Sequence, residues 1–176
     1  MKTKVLDNII TSDELFFIYK EIVSTSQWNI TALSTRFEEE GWQKRYNGAP
    51  NLKVKIRDDS IEHYPFYIWG KTIVYRIKEK LVKENMGLST NIKRMWFNIT
   101  YSDNTHHWAH RDSDKANETS LVLFLTPIWN PDWKGSFYVD GEEFNFKPGS
   151  VVVFDGKEFH MGTSPVKNTY GWMRLS

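Results

Sequence analysis

Residues 120–160 read SLVLFLTPIWNPDWKGSFYVDGEEFNFKPGSVVVFDGKEFH, and this stretch decides the fold. Short apolar runs alternate with turn formers, among them Asp140-Gly141 and Pro148-Gly149. The pattern predicts strands at Ser120–Thr126, Ser136–Val139, Glu142–Phe146 and Ser150–Phe154. Working outward adds Ala109–Asp112 and Ile92–Tyr101 upstream and Thr169–Ser176 downstream. Seven short strands at this density point to a sandwich or barrel.

The first half of the chain has a different period. Thr11 is followed three residues later by Glu14, a capping-box spacing. Leu15, Phe16, Ile18, Tyr19, Ile22 and Val23 then form one helical face, ending around Ser24 to Ser26. Residues 27–60 read as strand and loop around the turn-rich YNGAPN. Pro65 can open a second helix carrying Ile68, Ile73, Val74, Ile77 and Leu81, with Gly87 closing it. The expectation is one domain over 1–176. Two helices in a supporting segment of about 1–90 would pack on one outer face of a mainly β core of about 91–176.

Composition narrows the classes of partner. Lys plus Arg is 23 and Asp plus Glu is 22, so no strong electrostatic grip on nucleic acid or an anionic membrane is expected. The opening MKTKVLDNII is too broken by charge for a signal peptide, and no apolar run reaches the roughly 20 residues of a spanning helix. A cytoplasmic protein is the default. With no cysteine in the chain, any metal must be held by His and carboxylates.

The densest chemistry is His106-His107-Trp108-Ala109-His110-Arg111-Asp112. On a strand, i and i+2 share a face, so His110 and Asp112 would point together with Arg111 reversed. His160, beyond the Ser150–Phe154 strand, is the candidate third ligand. Two His and one Asp leave open positions, the set associated with non-haem Fe(II) oxygenases. Other readings stand beside this one. His106 and His110 have zinc-protease spacing, but position 107 is His rather than Glu. Surface histidines beside a solvated Asp112 would show the same pattern. His106, His107 and His63 read as exposed or structural residues.

A charge count extends the argument. Fe(II) with one Asp and two neutral His keeps one positive charge, which the 1-carboxylate of a chelating 2-oxoglutarate would neutralise. The remote 5-carboxylate then needs its own cation, because burying it unpaired is costly. Arg174, on the last expected strand, offers a planar fork for a carboxylate. Ser176 shares its face and adds a hydroxyl. Trp172 shares it too and could wall the pocket, while Tyr101 could offer a phenol. The alternatives are a surface arginine and a core tyrosine.

With these residues in view, the chain resembles the 2-oxoglutarate/Fe(II) oxygenase superfamily, in particular its prolyl 4-hydroxylase-like branch. VLDNIITSDELFFIYKEI resembles the opening strand and helix, and Tyr101 with His110-Arg111-Asp112 resembles the Tyr…His-X-Asp strand. SLVLFLTPIWNPDWKGSFYV resembles the central strand pair with its Trp-rich turn. KPGSVVVFDGKEFHMGTSPV resembles the strand leading to the distal His, and RLS the Arg-X-Ser clamp. The resemblance implies a double-stranded β-helix, a jelly-roll or cupin-like barrel. It implies iron on His110, Asp112 and His160, and 2-oxoglutarate on Arg174, Ser176 and Tyr101. The implied reaction consumes 2-oxoglutarate and O2, releases succinate and hydroxylates a substrate, with ascorbate as a candidate reductant. Asp at 112 favours hydroxylation over halogenation. The pattern departs at Arg174, where collagen-type prolyl hydroxylases usually have Lys, and at Gly135-Ser136, where Gly-Gly is usual.

The expected substrate is a peptidyl proline or another protein side chain, since so compact a chain has little material for closing over a small molecule. A free amino acid or small metabolite is the second enzyme reading, and nucleobase hydroxylation another, weakened by the neutral charge. A cupin-like metal-binding module without turnover is the reading from another class; it would need no Arg174-X-Ser176 clamp. Trp108, on the face of His110 and Asp112, is a candidate substrate contact. Arg111 reads as a surface or sheet-packing residue. The polar stretch 42–60 reads as a lid or a solvated hairpin.

Overall fold

The computed structural model describes residues 2–24, 29–31, 51–58, 61–62, 64–83, 87–100, 109–115, 117–166 and 172–175. Its strands are β1 (Lys4–Leu6), β2 (Asn29–Thr31), β3 (Asn51–Asp58), β4 (Ile61–Glu62), β5 (Arg94–Thr100), β6 (Thr119–Phe124), β7 (Phe137–Val139), β8 (Glu142–Phe144), β9 (Val151–Asp155), β10 (His160–Gly162) and β11 (Trp172–Leu175). Helix α1 (Ser12–Ser24) follows β1, and α2 (Tyr64–Val82) precedes β5.

All pairings are antiparallel and fall into two sheets. The larger has the order β1-β9-β6-β11-β5-β3-β2, with β4 on β3; the smaller has the order β10-β7-β8. The period-2 alternation of side chains sorts β6 and β9 onto two cores. Leu123, Leu125, Val151 and Val153 lie in a cluster with Ile18 and Ile22 of α1 and Ile73, Ile77 and Leu81 of α2. Val122, Phe124, Val152 and Phe154 lie in a second cluster with Phe137 and Val139 of the small sheet. The molecule is thus mainly β with both helices on the outer face of the large sheet and the small sheet against its inner face. The described ladders remain two sheets without closing a barrel.

The helix signals act where the residues place them. Thr11 caps α1: its Oγ1 accepts from the Glu14 amide at 3.2 Å, and its own amide donates to Glu14 Oε2 at 2.9 Å. Arg76 of α2 grips the same carboxylate through two bonds of 2.7 and 3.0 Å, tying the helices together. Pro65 sits in the first turn of α2, where its missing N–H costs nothing. The Asp140-Gly141 turn closes the β7–β8 hairpin with φ of 48° and 85°, as a two-residue loop requires.

Three expectations need correction. Helix α2 ends at Val82, five residues short of Gly87, after Lys80 donates to the Asp7 and Asn8 carbonyls near its C-terminus. Ala109–Asp112 is not a strand: a single bridge joins His110 to His160, and Asp112 lies in a bend. Of the two readings of the 42–60 stretch, the lid is overturned for 51–58, which form a strand of the large sheet registered on β5 and paired in a hairpin with β4; 42–50 and 59–60 lie outside the described residues. No described helix is long and apolar enough to cross a membrane.

Candidate metal centre

His160 enters from the small sheet. It is the first residue of β10 and pairs with Val139 of β7. Its ring is 5% exposed, between Phe154 at 4.8 Å and Phe137 at 5.8 Å, centroid to centroid. Its Nδ1 lies 3.2 Å from the Glu158 carbonyl, which can only accept, so Nδ1 carries a proton and Nε2 is the nitrogen presented to the cluster. That Nε2 faces Oδ2 of Asp112 at 3.6 Å.

His110 and Asp112 come from the loop between β5 and β6. The His110 amide donates to the His160 carbonyl at 3.0 Å, and the His160 amide donates back at 2.9 Å. Two residues on, the amides of Asp112 and Ser113 both donate to the Gly156 carbonyl at 3.0 Å. The rings of His110 and His160 stand 4.3 Å apart. One donor atom from each of His110, Asp112 and His160 lies within 4.8 Å of the others. Sequence spacing placed the first pair on one strand face. In the structure the hydrogen bonds to Gly156 and His160 set that geometry, without a ladder.

Two contacts to Asp112 escaped the sequence reading. Ser120 Oγ donates to Asp112 Oδ2 at 2.5 Å, a length typical of a bond to a carboxylate. The Arg94 guanidinium donates to the Asp112 carbonyl and lies over the Trp96 ring. Burial pushes the Asp112 carboxyl up, but the His160 imidazole, the Ser120 hydroxyl, the His110 imidazole and the Arg94 guanidinium outweigh it. The carboxyl therefore sits below its ordinary range. Ser120 carried a signal: it shares strand parity with Val122 and Phe124, hence the inner face.

The donor set fits a divalent transition metal. Two imidazoles and one carboxylate converge, the buried imidazole has its tautomer fixed, and the carboxylate is ionised and hydrogen-bonded. His110 is exposed, so one side of the cluster is open to solvent.

The remaining candidates divide. Backbone register sets Arg174 of β11 opposite both Asn98 of β5 and Phe124 of β6, and Trp172 opposite Thr100. Phe124 belongs to the inner core and Asn98 is a buried polar residue. Tyr101, Trp108 and Ser176 lie outside the described residues, as do His63, His106 and His107.

No protein-family model matches the sequence, and no curated protein does. Solved structures do match in fold. An oxidoreductase of the 2OG-Fe(II) oxygenase family from Burkholderia pseudomallei aligns with a TM-score of 0.69 at 17% identity, over 98% of this chain and 82% of that one. A prolyl-4-hydroxylase from Pseudomonas putida gives a TM-score of 0.62 at 17% identity, over 98% and 89%. The collagen prolyl hydroxylase of Paramecium Bursaria Chlorella virus-1, solved as its 2OG complex, gives 0.63 at 12% identity, over 99% and 94%. The fold of this chain is therefore the one found in 2OG-Fe(II) oxygenases and prolyl hydroxylases.

Proposed function

We propose that this protein is a 2-oxoglutarate- and Fe(II)-dependent dioxygenase that hydroxylates a protein side chain, a peptidyl proline being the first candidate. The observation that carries the reading is the convergence of His110, Asp112 and His160 within 4.8 Å, in a fold shared with such enzymes. On this reading the two facing sheets are the walls of a double-stranded β-helix. Bound Fe(II), with 2-oxoglutarate and O2, supplies oxidative decarboxylation to succinate coupled to hydroxylation.

The chain's own residues then have defined tasks. Glu158 accepts from Nδ1 of His160, so that Nε2 is the nitrogen that ligates. Ser120 orients Asp112 and keeps it ionised. Arg174, level with buried Asn98, receives the far carboxylate of 2-oxoglutarate, with Ser176 and Tyr101 beside it. Trp108 and Trp172 are assigned to the substrate side. The peptide preference draws on the neighbours: one is a Trichoplax adhaerens prolyl hydroxylase in complex with a peptide fragment of hypoxia inducible factor, at 11% identity and a TM-score of 0.62.

The test is to follow succinate from 2-oxoglutarate with Fe(II) and ascorbate, alone and with proline-rich peptides or free amino acids. Succinate release stimulated by peptides is the expected result. Stimulation by free amino acids alone would replace the substrate assignment. No succinate under any condition, with iron bound, would remove the enzyme reading.

A further inference from the structure

Arg111 and Phe159 are neighbours of the three candidate ligands that the mechanism does not use. Arg111 stands between His110 and Asp112, and Phe159 immediately precedes His160. The guanidinium carbon of Arg111 lies over the Phe159 ring, 4.1 Å from its centroid. Both residues are exposed, Phe159 by 39%.

The contact follows from the backbone. His110 and His160 form one antiparallel bridge, so the next residues inward, Arg111 and Phe159, are directly opposed on the reverse face. The segment 110–113 is tethered at one end by the two His110–His160 bonds and at the other by the bonds of Asp112 and Ser113 to Gly156. An isolated bridge lacks the support of neighbouring rungs. The Arg111–Phe159 stack lies between the tethers, where it can hold the ligand-bearing segments together.

Resting on the metal-centre reading above, we infer that Arg111 and Phe159 form a positioning clip. It acts through the backbone on the separation of His110 and Asp112 from His160, and so on metal affinity. Neither residue is a ligand. The stack draws together the two segments that carry the candidate metal donors. The planar guanidinium adds to the effect of the charge, because it can lie flat on the ring.

The test is Mn(II) and Co(II) affinity of the purified full chain, with thermal midpoints in chelator as the control for folding. Arg111→Ala and Phe159→Leu each weaken metal binding by about 2- to 5-fold, the range of an exposed cation–π contact. The double variant binds no more weakly than either single one. Phe159→Tyr, which keeps a ring, retains wild-type affinity, whereas Arg111→Lys does not fully restore it. Midpoints in chelator stay near that of the wild type.

Wild-type affinity in both single variants, or strictly additive losses in the double variant, would overturn the clip while leaving the metal centre intact. A raised requirement for peptide substrate with unchanged metal affinity would also overturn it, making Arg111 a substrate contact instead. Failure of the wild-type chain to bind either metal removes the metal-centre reading, and the clip with it.

Discussion

Oδ2 of Asp112 accepts a 2.5 Å hydrogen bond from Ser120 Oγ while standing 3.6 Å from Nε2 of His160. One carboxylate oxygen is thus held by the large sheet and aimed at the small one. Ser120→Ala removes the orienting donor and leaves every ligand in place. It should weaken Mn(II) or Co(II) binding about 10-fold, the low end for partners that orient metal ligands. Titration of the metal against the wild-type and variant chains measures this, and equal affinities would show that Asp112 is oriented without Ser120.

The three ligand candidates should fail in different ways. His110 is exposed and Asp112 half-buried, so His110→Ala and Asp112→Ala should abolish succinate release and metal binding with a small change in thermal midpoint. His160 is packed between Phe137 and Phe154. His160→Ala should lose the same functions and also destabilise the fold, by about 2–4 kcal/mol for the cavity left behind. Parallel metal titrations and urea unfolding separate the two effects. Wild-type succinate release in any of the three removes that residue from the ligand set.

Much of this arrangement was legible before the structure, and the reason is periodicity. Alternation along Leu121–Leu125 and Val151–Phe154 sorts side chains by parity, and the two buried clusters divide along that parity. The Thr11–Glu14 box is likewise local, needing no partner beyond the next turn. What was hidden depends on distant chain. Arg94 reaches the Asp112 carbonyl across 18 residues, and Gly156 anchors the loop from beyond β9. No spacing rule announces either contact. The strand expected at Ala109–Asp112 was misread because His-X-Asp alternation is also satisfied by one bridge and a bend.

Gly156 links the β9 turn to the ligand loop. Its carbonyl holds the Asp112 and Ser113 amides, and its amide donates to the Glu118 carbonyl at 2.8 Å. A Cβ there would meet the same Glu118 oxygen at 3.2 Å and the Ser113 Cβ at 3.5 Å. That oxygen is a backbone atom engaged by the glycine's own amide, so it has little room to yield. Gly156→Ala should cost about 1–3 kcal/mol of stability and weaken metal binding, because the displaced turn moves Asp112 with it. Urea midpoints and metal titration test both parts. An unchanged metal affinity would mean that the loop holds its shape without this anchor.

Arg174 makes a kinetic prediction. If it receives the far carboxylate of 2-oxoglutarate, Arg174→Ala should raise the KM for 2-oxoglutarate by about 10-fold or more while leaving metal affinity close to wild type. Arg174→Lys should recover part of the loss, because it restores the charge without the fork. Initial rates of succinate release at varied 2-oxoglutarate decide it. An unchanged KM would move the clamp elsewhere between the sheets.

The pairing of Glu14 with Arg76 gives the fold a defined response to acid. Hydrogen bonds from Arg76 and from the Thr11 amide hold the Glu14 carboxyl down at about 2, against an ordinary value of 4.5. A carboxyl lowered on folding contributes stability above its unfolded pKa and loses it as pH falls through the folded one. Glu14 should therefore stabilise fully above about pH 5 and progressively less from there to about pH 2. Its side chain and that of Arg76 are 33% and 39% exposed, so solvent screening reduces the contribution to about 1 kcal/mol. Glu14→Gln keeps an acceptor for the Thr11 cap but removes the charge. The difference in urea midpoint between wild type and Glu14→Gln should be largest near pH 6 and shrink steadily below pH 4.5. A difference that stays constant down to pH 2 would show that the ionised carboxylate and its fork from Arg76 add no net stability.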